Sequence, residues 1–269
     1  MKVSTERLAQ IKILGGRSHQ DISRGMCVME AVSYVTREPW SDRPQCVCPV
    51  ITEFMISWND ALPDDDRNRL LIPLIPLIVG TRSTRQVEER RAYMALDWLV
   101  RVSTPQWLDL APSLRSHAAE LRALDAVTDM AAATAAGDTV KVVWTDAWDV
   151  AWRTALDPVQ PTAWAAVRSA ALNAAWMAAL YVARSAARPA VLDVTRLAAW
   201  DAAVDVARFA AWAAAGESAL DAARSVAGPV TGAAALDAAK NALEPTTKRI
   251  QGSASELVLA MVSTSTGYN

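Results

Sequence analysis

The stretch KVVWTDAWDVAWR, residues 141–153, sets Trp144, Trp148 and Trp152 four positions apart, with Asp146, Asp149 and Arg153 among them. Four-residue spacing stacks side chains on one face of an α-helix, so the indoles form a stripe and the charges fall away from it. Around this stripe lies an alanine field. Positions 118–243 hold 45 Ala in 126 residues, and Ala has the highest intrinsic helix propensity. A helix face made only of methyl groups buries little surface, so larger residues must fix packing and register. With 11 Trp against 2 Phe in the chain, indoles are expected in that role. Trp164 and Trp176, then Trp200 and Trp212, repeat a separation of twelve residues, about three and a third helical turns.

Helix-stop and helix-start residues place breaks at Gly137-Asp138, Asp157-Pro158 through Pro161, Pro189, Gly216, Gly228-Pro229 and Glu244-Pro245. The fragments AWDVAW (147–152), AWDAA (199–203) and LDAAR (220–224) resemble one another. A degenerate helical repeat or bundle of stacked antiparallel helices follows from this reading.

Working back toward residue 1, the elements become short. Ser23 can cap a helix whose face is Cys27, Val28, Ala31, Val32 and Val35, ending before Glu38-Pro39. Pro49 opens a second helix, with Val50, Ile51, Phe54, Met55 and Trp58 at i, i+3, i+4 spacing. Asp64, Asp65 and Asp66 suit a helix N-terminus, and Pro73 and Pro76 predict a kinked or broken helix over 70–79. Ser83-x-x-Gln86 reads as a capping box for a helix carrying Val87, Met94, Ala95, Trp98, Leu99 and Val102. The expected fold is therefore all-α. Residues 1–115 form an irregular helical region, 116–265 the stacked Ala- and Trp-rich helices, and 266–269 a free tail.

Composition narrows the function classes. With 27 Lys and Arg against 29 Asp and Glu, a broad basic footprint is missing and duplex nucleic acid is not an expected partner. Residues 1–14 alternate charge with single apolar side chains and lack a signal-peptide core, and three Cys suit reduced thiols better than a secreted disulfide framework. A cytoplasmic protein is expected. The most apolar run, 70–79, is about half a membrane span and carries two prolines, so no membrane association is expected.

Chemistry-bearing motifs are sparse. Cys27, Cys46 and Cys48, with His19 as a nitrogen donor, are a conceivable zinc set, yet the C-x-C pair lacks the usual knuckle spacing and buried structural thiols are the expected state. His19 and His117 sit in no nucleophile motif, and neither phosphate-loop pattern occurs. No metal, cofactor or catalytic residue is assigned. Arg82, Arg85, Arg90 and Arg91 are interleaved with Glu88 and Glu89. One reading makes them a small anionic-ligand site in which Arg82 and Arg90 hold a phosphate or carboxylate and Trp98 or Trp107 stacks on a ring. Glu30, Asp42, Asp60 and Asp97 are the carboxylates that would complete it, as ligand-binding or acid–base groups.

The strings GMCVMEA (25–31), EPWSD (38–42), CVCPV (46–50), LIVGTR (77–82), EERR (88–91) and DWLVR (97–101) resemble a family of uncharacterised bacterial and phage-borne proteins. The resemblance covers residues 25–110 and, more weakly, SASEL at 253–257. A His stands in that family where Arg43 stands here, which speaks against a metal in this loop. The family implies relatedness without an activity. The Ala- and Trp-rich half is similar to helical immunity proteins. A non-enzymatic interaction protein with a protein partner is the leading expectation, and a small anionic-ligand binder or an enzyme using Arg82, Arg90 and the carboxylates is the alternative.

Overall fold

Caps and prolines, rather than long periodic runs, delimit the helices of the first hundred residues. In the computed structural model, which describes residues 3–11, 14–16, 19, 21–156 and 232–264, all regular secondary structure among the described residues is helical. These residues gather into two compact units. Unit 1 holds the described residues up to 95 and from 254 onward; unit 2 holds 96–156 and 232–253. Sequence alone places a boundary near 115.

In unit 1, α1 (Thr5–Gln10) starts on the Ser4 hydroxyl. It is strapped to α2 (Val28–Thr36) by Ser4 N donating to Val35 O at 3.0 Å and by Arg7, which donates to Tyr34 O and lies over its ring. The expected Ser23 cap is not the one used: α2 begins five residues later, and Cys27 itself is the N-cap, in a capping box with Glu30. Ser23 instead belongs to a short 3₁₀ turn, Ile22–Arg24, capped by Asp21. Nearly all of α2 is buried, and Arg37, in the left-handed region at φ 60°, ends it.

Pro49 opens α3 (Pro49–Ala61), and Val50, Ile51, Phe54, Met55 and Trp58 are all buried along its inner face. The acidic triplet starts α4 (Asp64–Leu71). The proline run resolves into successive short helices, a 3₁₀ turn at Ile72–Leu74 and α5 (Ile75–Ile78), each with its proline in the first turn, where the missing N–H is not needed. Gly80, at φ 80°, turns the chain. The next helix, α6 (Arg85–Asp97), is capped by the Thr84 hydroxyl, which accepts from Val87 N, one residue beyond the expected Ser83.

In unit 2 the helical path widens into a π-helical turn, Trp98–Ser103, before α7 (Thr104–Leu108). Widening rotates the later residues out of the register that sequence spacing assumes. Val100 and Ser103 thus turn inward, while Val102, expected on the buried face, is exposed. After a 3₁₀ turn at Pro112–Leu114 come α8 (Arg115–Ala123) and α9 (Met130–Leu156). His117 links these two helices, its Nδ1 3.0 Å from Glu120 Oε2 and its Nε2 2.8 Å from Asp146 Oδ2. The last described helix, α10 (Gly232–Ser263), supplies residues to both units.

Two expected breaks are absent. Helix α9 runs through Gly137-Asp138, since one glycine costs only about 1 kcal/mol in an alanine-rich helix. Helix α10 runs through Pro245, with Leu243 and Thr246 buried on either side, so packing retains a residue that weakens the helix locally.

The indole stripe also differs from expectation. The buried line of α9 is Ala133, Ala136, Val140, Val143 and Ala147, small residues that let neighbouring backbone approach closely. Trp144 and Trp148 stack beside that line with centroids 6.1 Å apart and rings 6° from parallel, and Trp148 is 36% exposed. In unit 2 the largest fully buried side chain among the described residues is that of Trp107, on α7. The side chain of Trp152, the other indoles at 164, 176, 200 and 212, the breaks at 157–161, 189, 216 and 228–229, the hairpin repeat and the tail 266–269 lie outside the described residues. Trp107→Ala is expected to cost about 3–5 kcal/mol of unfolding free energy, and Trp148→Ala about 1 kcal/mol or less, compared by urea melts under one set of conditions.

Candidate functional site

Two glycines make room for one imidazole in unit 1. A Cβ on Gly15 would lie 2.8 Å from His19 Cε1, and one on Gly25 would lie 3.2 Å from His19 Nε2. Gly25 also sits at φ 105°, in the region that side chains other than glycine's rarely permit. The His19 ring is held between these two backbones. Its Nδ1 is 3.0 Å from Glu30 Oε2, its backbone N–H donates to Glu30 Oε1 at 2.5 Å, and its carbonyl accepts from the Trp40 indole at 2.9 Å.

Glu30 is 1% exposed. Besides the two His19 donors, its carboxylate accepts Cys27 N–H at 2.8 Å. A buried carboxylate is tolerated only when donors surround it, and here three do. With Nδ1 turned to the carboxylate, Nε2 faces the two glycines, and the His19 side chain as a whole is 16% exposed.

The same network continues through Asn59. Its Oδ1 accepts Val28 N–H at 3.1 Å, and its Nδ2 donates to Gly15 O and Asp60 Oδ1. Arg67, also buried, gives its guanidinium to the carbonyls of Asn59, Leu14 and Leu62 and pairs with Asp64. It thereby closes the carbonyl end of α3, where cations are favoured. A second buried guanidinium, Arg91, donates to Thr81 O at 2.6 Å, Met261 O at 2.8 Å and Thr264 O at 3.0 Å, doing the same for the end of α10.

The residues singled out from sequence are distributed as follows. Glu30 and Asp60 share the network just described. Asp42 is half-buried in the connection between α2 and α3. Arg82 is 52% exposed and paired with Glu88, and Arg90 is exposed. Asp97 and Trp98 fall in unit 2. There Asp97 accepts Val127 N–H at 2.8 Å and pairs with Arg101, while the Trp98 ring is buried with its N–H on Ser253 Oγ at 3.0 Å, so no face of it is open for stacking on a ligand.

The three thiols are buried and unbridged, and among the described residues no group of three or more His, Cys, Asp or Glu is placed to hold a metal. Burial, reinforced by the Glu30 charge, pushes the Cys27 thiol up to about 12. Burial and the Glu38 carboxylate push Cys46 up to about 11. Neither is an activated nucleophile. Glu38 spends its carboxylate on the backbone N–H groups of Gln45 and Cys46, fixing the loop that leads into α3.

No family model, curated protein or solved structure matches this chain. Residue roles therefore rest on geometry alone. Sequence spacing misses His19, which lies in no periodic run, but two signals were present: glycines at 15 and 25, and an arginine at 91 on the apolar stripe that joins Val87 to Ala95.

Gly25→Ala is expected to destabilise unit 1 by about 1–3 kcal/mol, through backbone strain and contact with His19, as read by urea denaturation. A folded-state thiol value above the ordinary 9.0 favours the neutral form. Its stabilisation is complete below pH 9 and is lost as pH rises toward 11–12. At pH 8 a thiol reagent should leave Cys27 and Cys46 unlabelled in native protein and label both after unfolding.

Proposed function

We propose that this chain is a non-enzymatic helical interaction protein that binds another protein, an immunity or phage accessory factor being the role its sequence resemblances suggest. The observation that carries the reading is the outer surface of α9. Val142 there is 61% exposed, and Trp148, stacked on Trp144, keeps over a third of its surface in water. Large rigid aromatic groups at the surface are the residues that most often dominate protein interfaces. The polar side chains of unit 1, by contrast, are largely consumed in holding helix ends and loops together. No helix among the described residues is long and apolar enough to cross a membrane.

A second reading, small-ligand binding or acid–base chemistry in the N-terminal region, is favoured by one observation: an imidazole oriented by a buried carboxylate, its side chain 16% exposed. The two readings separate experimentally. Bait protein incubated with extract of its source organism should retain one partner in simple stoichiometry. Val142→Asp and Trp148→Ala should each weaken that retention about tenfold or more with melting temperature nearly unchanged. Equal retention by the variants would remove α9 from the interface. Absence of any partner, together with a nucleotide or dicarboxylate that raises the melting temperature of wild type but not of His19→Gln, would replace the interaction reading by the second.

A further inference from the structure

We propose that unit 2 carries an internal water site between the Ser103 hydroxyl and the Trp107 indole N–H. Both side chains are fully buried, and neither polar atom has a hydrogen-bond partner within the protein. They lie four residues apart where the π-helical turn passes into α7, so they neighbour each other on one helix face.

The sequence explains how this pair arises. Pro105 has no N–H to return to the preceding turn, and its ring crowds the carbonyl four residues back. The helix widens just before it, and Thr104 N–H reaches Leu99 O, five residues back. A serine inside an ordinary helix turns its hydroxyl to the carbonyl four residues earlier. For Ser103 that carbonyl is Leu99's, which here accepts Thr104 N–H, and the Ser103 hydroxyl makes no bond to it.

Trp107 presents a donor only, and Ser103 presents a donor and an acceptor. A water molecule accepts from the indole and exchanges a hydrogen bond with the hydroxyl, and buried waters characteristically bridge such groups. Glu30, Arg67 and Arg91 are met by protein atoms; among the described residues, Ser103 and Trp107 are the fully buried side chains with polar atoms that are not.

Oxygen-17 relaxation dispersion on the full chain counts waters held longer than molecular tumbling. The expected result is that Ser103→Ala and Trp107→Phe each lose about one such water. In ¹⁵N-indole spectra, with Trp107 assigned through Trp107→Phe, the Trp107 N–H resonance should move in Ser103→Ala, and that variant's folding equilibrium constant should fall about tenfold. Unchanged dispersion in Ser103→Ala, with an unmoved indole resonance, overturns the proposal. So does a Ser103→Ala protein as stable as wild type or more so. The dispersion count on a folded variant keeps the test independent of any stability change.

Discussion

Desolvated charge is the constraint around which unit 1 is organised. Glu30 leaves water entirely, and the chain answers it with donors drawn from two stretches of backbone and one side chain. Meeting that requirement fixes where α2 begins, brings residue 19 against it, and forces glycine at 15 and 25 so that the imidazole fits. Arg67 and Arg91 follow the opposite rule. Each is a cation without a buried carboxylate, stabilised by carbonyls at a helix end. Short helices with modest apolar faces are thus held together by polar closures at their ends.

Unit 2 relies on different physics. Along α9 the buried line from Ala133 to Ala147 is alanine and valine, whereas the rest of the described part of the unit buries larger side chains such as Leu99, Trp107, Leu114 and Leu121. Among the described residues, the indoles buried in this unit, Trp98 and Trp107, come from the π-helical turn and the short α7. Trp144 and Trp148 flank the contact line and face outward in part, which makes them surface chemistry more than filling.

Much of the architecture was legible in the sequence. Helical class followed from alanine content and from apolar spacing in α3, whose five predicted inner residues are all buried. Caps were harder: Thr84 replaces Ser83 one residue on, and Cys27 replaces Ser23 four residues on, because nearby hydroxyls and thiols compete and only tertiary packing decides. Spacing also failed beyond Trp98, where Pro105 alters the helical repeat, and at Gly137 and Pro245, where helix continuation outweighs a local penalty. The candidate site was less readable. His19 has no pattern to announce it, and Glu30, singled out from sequence as a partner for the arginines, instead meets this imidazole eleven residues away.

The clasp at Arg91 has a consequence for the order of synthesis. Its guanidinium joins a carbonyl ten residues earlier, at Thr81, to carbonyls 170 and 173 residues later. Local helices of unit 1 can form as the chain emerges from the ribosome, yet their closure waits for residue 264 to follow. Until then Arg91 lacks two of its three carbonyl partners, so the end of α10 is the last piece of this closure to arrive.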